Sequence, residues 1–286
     1  MKKLKYFIQF LVIFFLFLLF KLIGLKISSY LSSMIFRFVG PFFKSKKIIN
    51  QNLATAFPKI NNFKKKEIIK KMWSNYGKIF AEYNFIKKFR SEKFNQKIIV
   101  KNQAVLEQIK ERLEPVIFVS GHFDNFELMA MHIEKSGINL SVIYRPLNNF
   151  FLNPLMENIR RKFICKNQIK KGSSGTRLLL KNFKNGSSIA LMVDQRVSEG
   201  IRSKFFSKDA LTTTIPAQFV KKFKTKVVPI HIERLINDNF VINIHDPLEF
   251  SNKETIKSIT SKLNKILEIM IKKNPDQWIW THNRWK

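Results

Sequence analysis

The sequence is poor in residues that small cross-linked domains and metal sites require. It contains one cysteine, Cys165, and five histidines among 286 residues. A single cysteine cannot form a disulfide within the chain, and these residues do not have the spacing of zinc ligands. A disulfide scaffold and a zinc ribbon are therefore excluded.

Acidic residues are also scarce. The chain has 20 of them against 52 Lys and Arg, which gives a formal net charge of +32. Such a surface favours anionic partners, namely nucleic acid, anionic lipid or an acidic protein. An A/T-rich coding bias, which favours Lys, Ile, Asn and Phe together, explains part of the excess. The hydrophobic content of 45% is enough for a packed core and excludes disorder as the main state.

The N-terminus carries a long apolar run. Residues 6–25 are interrupted only by Gln9 and Lys21, and as a helix they would extend about 30 Å, which is enough to cross a bilayer. A cleaved signal peptide is the alternative, but no clear A-x-A-like site follows. Lys21 near the end of the run and the five basic residues from Lys26 to Lys47, against three lysines before the run, favour a C-terminal side in the cytoplasm. The run predicts a membrane anchor over residues 1–26.

Residues 27–100 form a basic region that we expect to be helical and close to the membrane. Between Phe63 and Phe89 the apolar residues recur at helical spacing, so they share one face. That face is predicted to pack on the domain core, and a position in the membrane surface is the alternative. Its members are Ile68, Met72, Trp73, Tyr76, Ile79, Phe80 and Tyr83.

Residues 101–286 alternate short apolar runs with helical stretches, the pattern of an α/β domain. The fold predicted is α/β, with a mixed, mostly parallel sheet flanked by helices and preceded by the hydrophobic anchor helix. Strands are expected at 116–120, 140–144, 189–193, 227–233 and 240–245. Helices are expected at 125–136, 153–163, 175–183, 215–223 and 253–272.

Two finer features follow from the turn and capping signals. Asn237, Asp238 and Asn239 separate the last two strands, which predicts an antiparallel hairpin at one edge of the sheet. Ser251 and Glu254 have the spacing of a capping box, which predicts the start of the last helix.

The most informative histidine is His122, which follows a buried strand and Gly121. Open α/β sheets place ligands at the carboxyl ends of their strands. If a helix begins near Asp124 or Asn125, Glu127 lies in its first turn and can reach back to the imidazole. A carboxylate on one ring nitrogen would leave the other nitrogen free to take a proton from an alcohol. A structural histidine is the alternative.

Five segments in order resemble one family, the late acyltransferases of lipid A biosynthesis, within the wider lysophospholipid acyltransferase superfamily. G-H-F-D-N-F-E at 121–127 is similar to the family's G-H-F-G-N-W-E block, and Y-R-P-L-N-N at 144–149 to Y-R-P-x-N-N. D-Q at 194–195, the F-F and T-T-T elements at 205–214, and the C-terminal N-P-D-Q-W-I-W-T-H-N-R-W-K also match.

The resemblance implies transfer of an acyl chain from an acyl carrier protein thioester to a hydroxyl of an anionic lipid A precursor. His122 would be the general base and Glu127 its partner, with no metal or cofactor. The implied partners are the acyl carrier protein, the lipid A precursor and the membrane, but not nucleic acid. The implied location is the bacterial inner membrane, with the catalytic region facing the cytoplasm.

Further residues acquire roles from the same resemblance. Arg160 matches an arginine after the second block and would stabilise the thioester oxyanion. The alternative places Arg160 on a solvated helix face with Arg161 and Lys162. The residues expected to bind substrate are Arg160, Arg145, Asn125, Asp194 and Gln195, although Asp194 at a strand end also suits a structural role.

Some positions depart from the family pattern, and some functional alternatives stay open. Asp124 replaces a glycine, Phe126 a tryptophan, and Ser207 stands where the family often has glycine. The acceptor could instead be a lysophospholipid, an ornithine lipid or a glycolipid. A non-catalytic protein that binds nucleic acid or membrane through its basicity is the alternative from another class.

Overall fold

A computed structural model describes residues 1–286, with the exception of the side chain of Glu92. Its centre is a seven-stranded sheet with the order β1-β9-β8-β2-β5-β3-β4. The strands of this sheet are β1 Ile98–Lys101, β2 Ile117–Ser120, β3 Leu140–Tyr144, β4 Asn167–Lys170, β5 Ser188–Met192, β8 Val227–Arg234 and β9 Phe240–Ile244.

The helices fill the intervals and cover the sheet. They are α1 Lys2–Phe43, α2 Lys46–Ala56, α3 Asn62–Tyr83, α4 Ile86–Arg90, α5 Ala104–Arg112, α6 Glu127–Lys135, α7 Leu152–Phe163, α8 Ser173–Lys184, α9 Ile215–Phe223 and α10 Ile256–Lys273. Two 3₁₀ turns lie at Glu92–Lys97 and Pro275–Gln277.

The sheet is mixed and mostly parallel, which confirms the predicted fold class. Only β8 and β9 pair in antiparallel fashion within it. This hairpin is not at the sheet edge as predicted, because β1 adds to the outer side of β9 in parallel register. The exposed strand β1 has only four residues and alternates half-buried with exposed side chains, so its hydrophobic signal is weak.

A second, two-stranded sheet was not predicted. Strands β6 Ile201–Phe205 and β7 Lys208–Thr212 form a hairpin closed by Phe206 and Ser207, which have φ of 50° and 62°. Two central residues with positive φ form the turn type that suits the twist of a hairpin. Asn and Gly usually occupy those positions, so the sequence Phe-Ser gave no turn signal.

The N-terminal helix is longer than the predicted anchor and has a sharp interruption. It runs from Lys2 to Phe43, and Gly24 interrupts it with φ 79° and ψ 169°. Only glycine adopts this backbone region readily. We call residues 2–23 the first arm and residues 25–43 the second arm.

The two arms fold back towards each other over α3. The ring of Phe80 lies 5.3 Å from that of Phe17 in the first arm and 5.5 Å from that of Phe36 in the second. In a straight helix, Phe17 and Phe36 would be about 28 Å apart along the axis. The bend at Gly24 therefore converts one apolar helix into a helical hairpin.

The apolar face of α3 packs within the protein. A Cβ added to Gly77 would lie 2.3 Å from the carbonyl oxygen of Ser32, so α3 and the second arm touch backbone to backbone. Met72 and Trp73 are buried on the same face. The predicted packing role of this face is confirmed, and α3 ends at Tyr83 rather than near residue 89.

The last helix begins later than the capping signal predicted. Thr255 is the N-cap of α10, and its side chain accepts a hydrogen bond from the N–H of Ser258. Glu254 still accepts from the N–H of Ser251 at 3.1 Å, so half of the expected capping box forms one turn earlier. The predicted position of the cap was wrong. The buried side of the helix carries Ile259, Leu263 and Leu267, whereas Ile256 at its start is exposed.

Candidate active site

His122 and Asp194 meet because two neighbouring strands end in register. Strands β2 and β5 are parallel, and Ser120 pairs with Met192. His122 and Asp194 each follow the paired residue by two positions, so both side chains emerge at the same edge of the sheet. This is the carboxyl edge at which open α/β sheets bind ligands.

The carboxylate of Asp194 holds both the backbone and the ring of His122. Oδ2 accepts the backbone N–H of His122 at 2.7 Å, and Oδ1 lies 2.8 Å from Nδ1 of the ring. Trp278 also donates its indole N–H to Oδ2 at 2.8 Å. A Cβ on Gly121 would lie 3.1 Å from Oδ2, so the glycine allows the close approach.

This arrangement fixes the proton of the imidazole on one side. An ionised carboxylate accepts hydrogen bonds, so Nδ1 carries the proton and Nε2 keeps its lone pair. Burial disfavours the charged ring, but the charge and hydrogen bond of Asp194 outweigh burial and raise the pKa of His122 above its usual value. The side chain of His122 is 20% exposed, whereas that of Asp194 is 0% exposed. The imidazole is therefore partly exposed, while the carboxylate that orients it is not.

Glu127 does not make the contact with His122 that the spacing suggested. Its Oε1 accepts hydrogen bonds from Nε and Nη2 of Arg160 at 2.9 and 2.7 Å, and from the hydroxyl of Tyr83 at 3.1 Å. Glu127 begins α6 as expected, but its carboxylate turns towards α7 and α3. It acts on the imidazole through its charge, which contributes to the raised pKa of His122.

Arg160 lies in the site rather than on a solvated helix face. Its side chain is 16% exposed, and Nε also lies 2.9 Å from the hydroxyl of Tyr83. None of the hydrogen bonds among the described side chains uses Nη1 of Arg160. The guanidinium is therefore oriented by protein groups while part of it remains available.

The other expected substrate-binding residues fall into two groups. Gln195 places its amide nitrogen 3.4 Å from Nε2 of His122, where the amide N–H donates a long hydrogen bond to the ring nitrogen. Arg145 is exposed after β3. Asn125 and Asp194 are fully buried and bind protein groups instead, since Nδ2 of Asn125 donates to Glu82 at 2.9 Å.

A cavity of about 170 Å³ adjoins His122. Its walls come from α3, from the turn after β2 and from the C-terminal segment. They combine apolar side chains with amide and carboxyl groups, as small-molecule sites do. The lining residues are Asn75, Tyr76, Ile79, His122, Asp124, Phe126, Asp276, Gln277 and Ile279.

Several residues of the site gave little or no signal in the sequence. Tyr83 was assigned to an apolar face, yet its hydroxyl joins Glu127 to Arg160. Glu82 lies three residues after Ile79, and an acidic residue on an apolar face is the signal that could have marked it. Arg234 ends a strand more than a hundred residues from Asp124, which it binds, so spacing could not link them.

The described side chains contain no group of three or more His, Cys, Asp and Glu residues arranged to hold a metal ion. Asp194 is engaged with the ring nitrogen and the backbone N–H of His122, and Glu127 with the guanidinium of Arg160. An imidazole oriented in this way suits proton transfer.

An oriented His–Asp pair at the carboxyl edge of an α/β sheet is a site that can activate a hydroxyl. Residues 1–286 match the model of the bacterial lipid A biosynthesis acyltransferase family. The chain belongs to this family, and it is an acyltransferase.

The similar proteins are distant relatives. The chain is 21% identical to a lipid A biosynthesis acyltransferase 2 from Shigella flexneri, over 83% of this chain and 76% of that protein. It is 20% identical to the lipid A biosynthesis myristoyltransferase of Escherichia coli strain K12, over 85% and 76%. A 1-acyl-sn-glycerophosphate acyltransferase structure from Thermotoga maritima matches with a TM-score of 0.43 and 15% identity, over 87% of this chain and 98% of that one.

Proposed function

We propose that this protein transfers a fatty acyl chain from an acyl carrier protein thioester to a hydroxyl of a lipid A precursor. The product would be a secondary acyl chain on Kdo-lipid A during lipopolysaccharide biosynthesis. The observation that carries the proposal is the orientation of His122, with Nδ1 on Asp194 and the partly exposed imidazole beside the cavity. Membership of the family supports the class of acceptor.

In the proposed reaction His122 is the general base. The acceptor hydroxyl gives its proton to Nε2 as its oxygen attacks the thioester carbonyl carbon. The tetrahedral intermediate then collapses, the C–S bond breaks, and the imidazolium returns the proton to the leaving thiolate. Asp194 stabilises the imidazolium in between. Proton transfer by a positioned base typically contributes about 10²–10⁴-fold to the rate.

The negative charge that develops on the carbonyl oxygen needs a donor that is already in place. Arg160 is the cation we assign to this role, and Glu127 and Tyr83 position it through Nε and Nη2. Gln195 is a second donor, because its amide lies beside Nε2 of His122. Glu127 thus contributes by holding the arginine and by raising the pKa of His122.

A basic surface formed by residues that follow Arg160 in the chain would bind the acyl donor. Between residues 158 and 193 the chain has nine cationic residues and no Asp or Glu. Arg160 begins this stretch inside the site. Exposed cations of α7, α8 and the strand between them would attract an acidic carrier protein and raise its association rate. They are Arg161, Lys162, Lys166, Lys170, Lys171, Arg177, Lys181 and Lys184.

The membrane partner follows from α1, the one described helix long and apolar enough to cross a bilayer by length and composition. We propose that it lies in the cytoplasmic leaflet of the bacterial inner membrane instead of crossing it. Asn149 donates to the carbonyl oxygen of Tyr6 at 2.8 Å, and Asn84 to that of Phe17 at 2.6 Å. These bonds tie the first arm to the domain at two points. The outer faces of both arms remain apolar and exposed.

Labelling of single cysteines tests the proposed location. Cys165 is buried, so a Lys2→Cys variant provides an accessible thiol at the N-terminus. We expect an impermeant maleimide to label it only in opened membranes, as it labels a Lys46→Cys variant after the second arm. Labelling of Lys2→Cys from the periplasmic side of intact spheroplasts would show a spanning helix instead.

The decisive experiment is acyl transfer by the purified protein. It supplies a panel of acyl carrier protein thioesters with a Kdo-bearing tetra-acylated lipid A precursor and, separately, with lysophospholipid, ornithine lipid and glycolipid acceptors. We expect the mass of one acyl group to be added to the lipid A precursor, and His122→Ala to abolish the addition. Transfer only to one of the other acceptors would support the proposed acyl-transfer chemistry and would reject the lipid A precursor as the acceptor.

A further inference from the structure

The turn that carries His122 is held by a second, deeply buried set of charges. Asp124 has φ of 35°, a left-handed conformation that non-glycine residues seldom adopt. Its backbone N–H donates to the carbonyl oxygen of Gln277 at 2.8 Å. Its Oδ1 accepts the N–H of Asn125 at 2.7 Å. The carboxylate therefore stabilises an unusual backbone two residues after the catalytic histidine.

Arg234, at the end of β8, holds this carboxylate from the other side. Its Nε lies 3.1 Å from Oδ2 of Asp124 and its Nη2 lies 2.6 Å from Oδ1, a two-point fork. The same Nη2 donates to Oε2 of Glu82 at 3.0 Å. The side chains of Arg234, Glu82 and Asp124 are 4%, 3% and 0% exposed. Water therefore cannot replace these bonds.

The network reaches every element that surrounds the cavity. Glu82 belongs to α3, and its Oε2 also accepts from Nδ2 of Asn125. The side chain of Gln277 bonds the backbone N–H and carbonyl oxygen of Arg234 at 2.8 and 2.9 Å. The network thus joins the C-terminal segment, β8, α3 and the turn. It has no hydrogen bond to the imidazole itself.

We propose that Asp124 is a positioning residue for His122, and that Arg234 is the group that holds it. A glycine would adopt this left-handed turn through its conformational freedom. Here the hydrogen bonds of the Asp124 carboxylate stabilise the turn, and the network connects it to β8, α3 and the C-terminal segment. The inference rests on the proposed function, because it assigns the turn to the acyl-transfer base. A base displaced by about 1 Å can lose on the order of 10²-fold in rate.

The test compares kcat, KM for the donor and the pH profile in four variants. Asp124→Gly accepts the positive φ without steric cost and leaves Glu82 as the partner of Arg234, but it removes the carboxylate of Asp124. Arg234→Lys keeps the charge and loses the fork. We expect both variants to lower kcat at least tenfold at every pH and to keep KM for the donor within twofold of the wild-type value. The acid limb of the pH profile, where kcat falls as His122 becomes protonated, should stay at the same pH. Asp124→Asn, which keeps one acceptor oxygen, should restore part of the loss.

Asp238→Asn is the matched control, because Asp238 also approaches Arg234, at 3.7 Å, but is 43% exposed. We expect its kcat to equal that of the wild type. A wild-type kcat in folded Asp124→Gly would overturn the inference, as would a loss confined to KM. Failure of the wild-type protein to transfer any acyl group would instead reject the proposed function, so the two failures are distinguishable.

Discussion

The two carboxylates that raise the pKa of His122, Asp194 and Glu127, differ in what neutralises them. Asp194 accepts hydrogen bonds from neutral donors, the N–H groups of His122 and Trp278, and its ring partner becomes a cation only when the imidazole is protonated. Glu127 faces a permanent cation, Arg160. In the proposed reaction Asp194 would therefore respond to the proton that His122 takes up, whereas Glu127 would hold the charge of Arg160 in place.

Loss of the Asp194 charge should lower kcat more than loss of the Glu127 charge. In Asp194→Asn the amide can donate to Nδ1, which favours the wrong tautomer and removes the stabilisation of the imidazolium. We expect kcat to fall by about 10³–10⁴-fold. Because Asp194 raises the pKa of His122, the acid limb of the kcat profile should move to lower pH. Steady-state assays from pH 5 to 9 measure both changes.

Asp246→Asn provides the control for Asp194→Asn. Asp246 accepts a hydrogen bond from Asn102 at 2.9 Å on the exposed surface. This variant should have the wild-type rate and profile. An Asp194→Asn enzyme with an unmoved acid limb would contradict the assignment of Asp194 to the base.

Removal of the Glu127 charge should have a smaller effect. Glu127→Gln leaves Arg160 with a weaker partner, so the guanidinium loses orientation. We expect kcat to fall by about tenfold to a hundredfold, as for removal of an ion-pair partner in a partly buried site. The acid limb should also move to lower pH, but less than in Asp194→Asn, because the charge of Glu127 contributes less to the raised pKa.

Glu134→Gln on the same helix is the control for Glu127→Gln. Glu134 also pairs with an arginine, Arg90, but outside the site. Equal losses in the two variants would show that a broken ion pair in α6 is enough, and would remove the special role of Glu127.

Tyr83→Phe should lower kcat modestly, and it separates the loss of a hydrogen bond from the loss of a charge. It removes one hydroxyl that donates to Glu127 and accepts from Arg160, and it leaves every charge in place. A single hydrogen bond of this kind is worth about a threefold to tenfold change in kcat. The acid limb should not move. Tyr144→Phe, whose hydroxyl donates to Glu157 at 2.6 Å, is the control, and a shifted limb in Tyr83→Phe would be the contrary result.

The smallest expected effect is on the pH dependence of stability. The pKa of His122 is raised and that of Asp194 is lowered in the folded protein. The His122–Asp194 pair therefore contributes most to the free energy of unfolding at pH values between the pKa of an unfolded Asp, about 4, and that of an unfolded His, about 6.5. It weakens as the pH rises through the folded pKa of His122 or falls through that of Asp194.

The Arg160–Glu127 pair provides the contrast. The usual pKa of an arginine already lies well above pH 9, and that of Arg160 is raised further, so its guanidinium does not titrate between pH 5 and 9. Denaturant unfolding in detergent between pH 5 and 9 checks this. The stability difference between wild type and His122→Ala should shrink with rising pH. That between wild type and Glu127→Gln should shrink less, because the charge of Glu127 contributes less than Asp194 to the raised pKa of His122. A constant difference for His122→Ala would contradict the raised pKa.

Much of the fold was predictable because its signals are local. The apolar run of β3 and the amphipathic pattern of α9 were predicted with their observed bounds, Leu140–Tyr144 and Ile215–Phe223. Strand β1, which begins inside the region 27–100 expected to be helical, was missed, and so were strand β4 and the β6–β7 hairpin. Three of the four residues of Asn167–Lys170 are polar, so this strand has no apolar run, and the hairpin turns on Phe206 and Ser207. The division into segments 1–26, 27–100 and 101–286 stays a prediction.

The candidate site was predictable residue by residue but not in its pairing. His122, Glu127, Arg160 and Gln195 were each selected; Gln195 lies beside His122, and Arg160 is paired with Glu127. The expected His122–Glu127 contact was replaced by two separate pairs, because the carboxylate of Glu127 turns towards Arg160. Asn125 and Asp194 were selected as substrate-binding residues, yet both are fully buried. Spacing along the chain reports which residues share an element, and these contacts join different elements.

The sequence by itself determined the helices and strands with strong local signals, the apolar anchor, the basic surface and the residue types of the candidate site. Each depends on neighbours within one helix or strand, or on composition alone. The tertiary structure decided that β2 lies beside β5 with Ser120 opposite Met192, and this register gives His122 its partner 72 residues away. It also folded the anchor back at Gly24 over Phe80. Strand order and the closure of a bend depend on the packing of the whole chain, which no local pattern records.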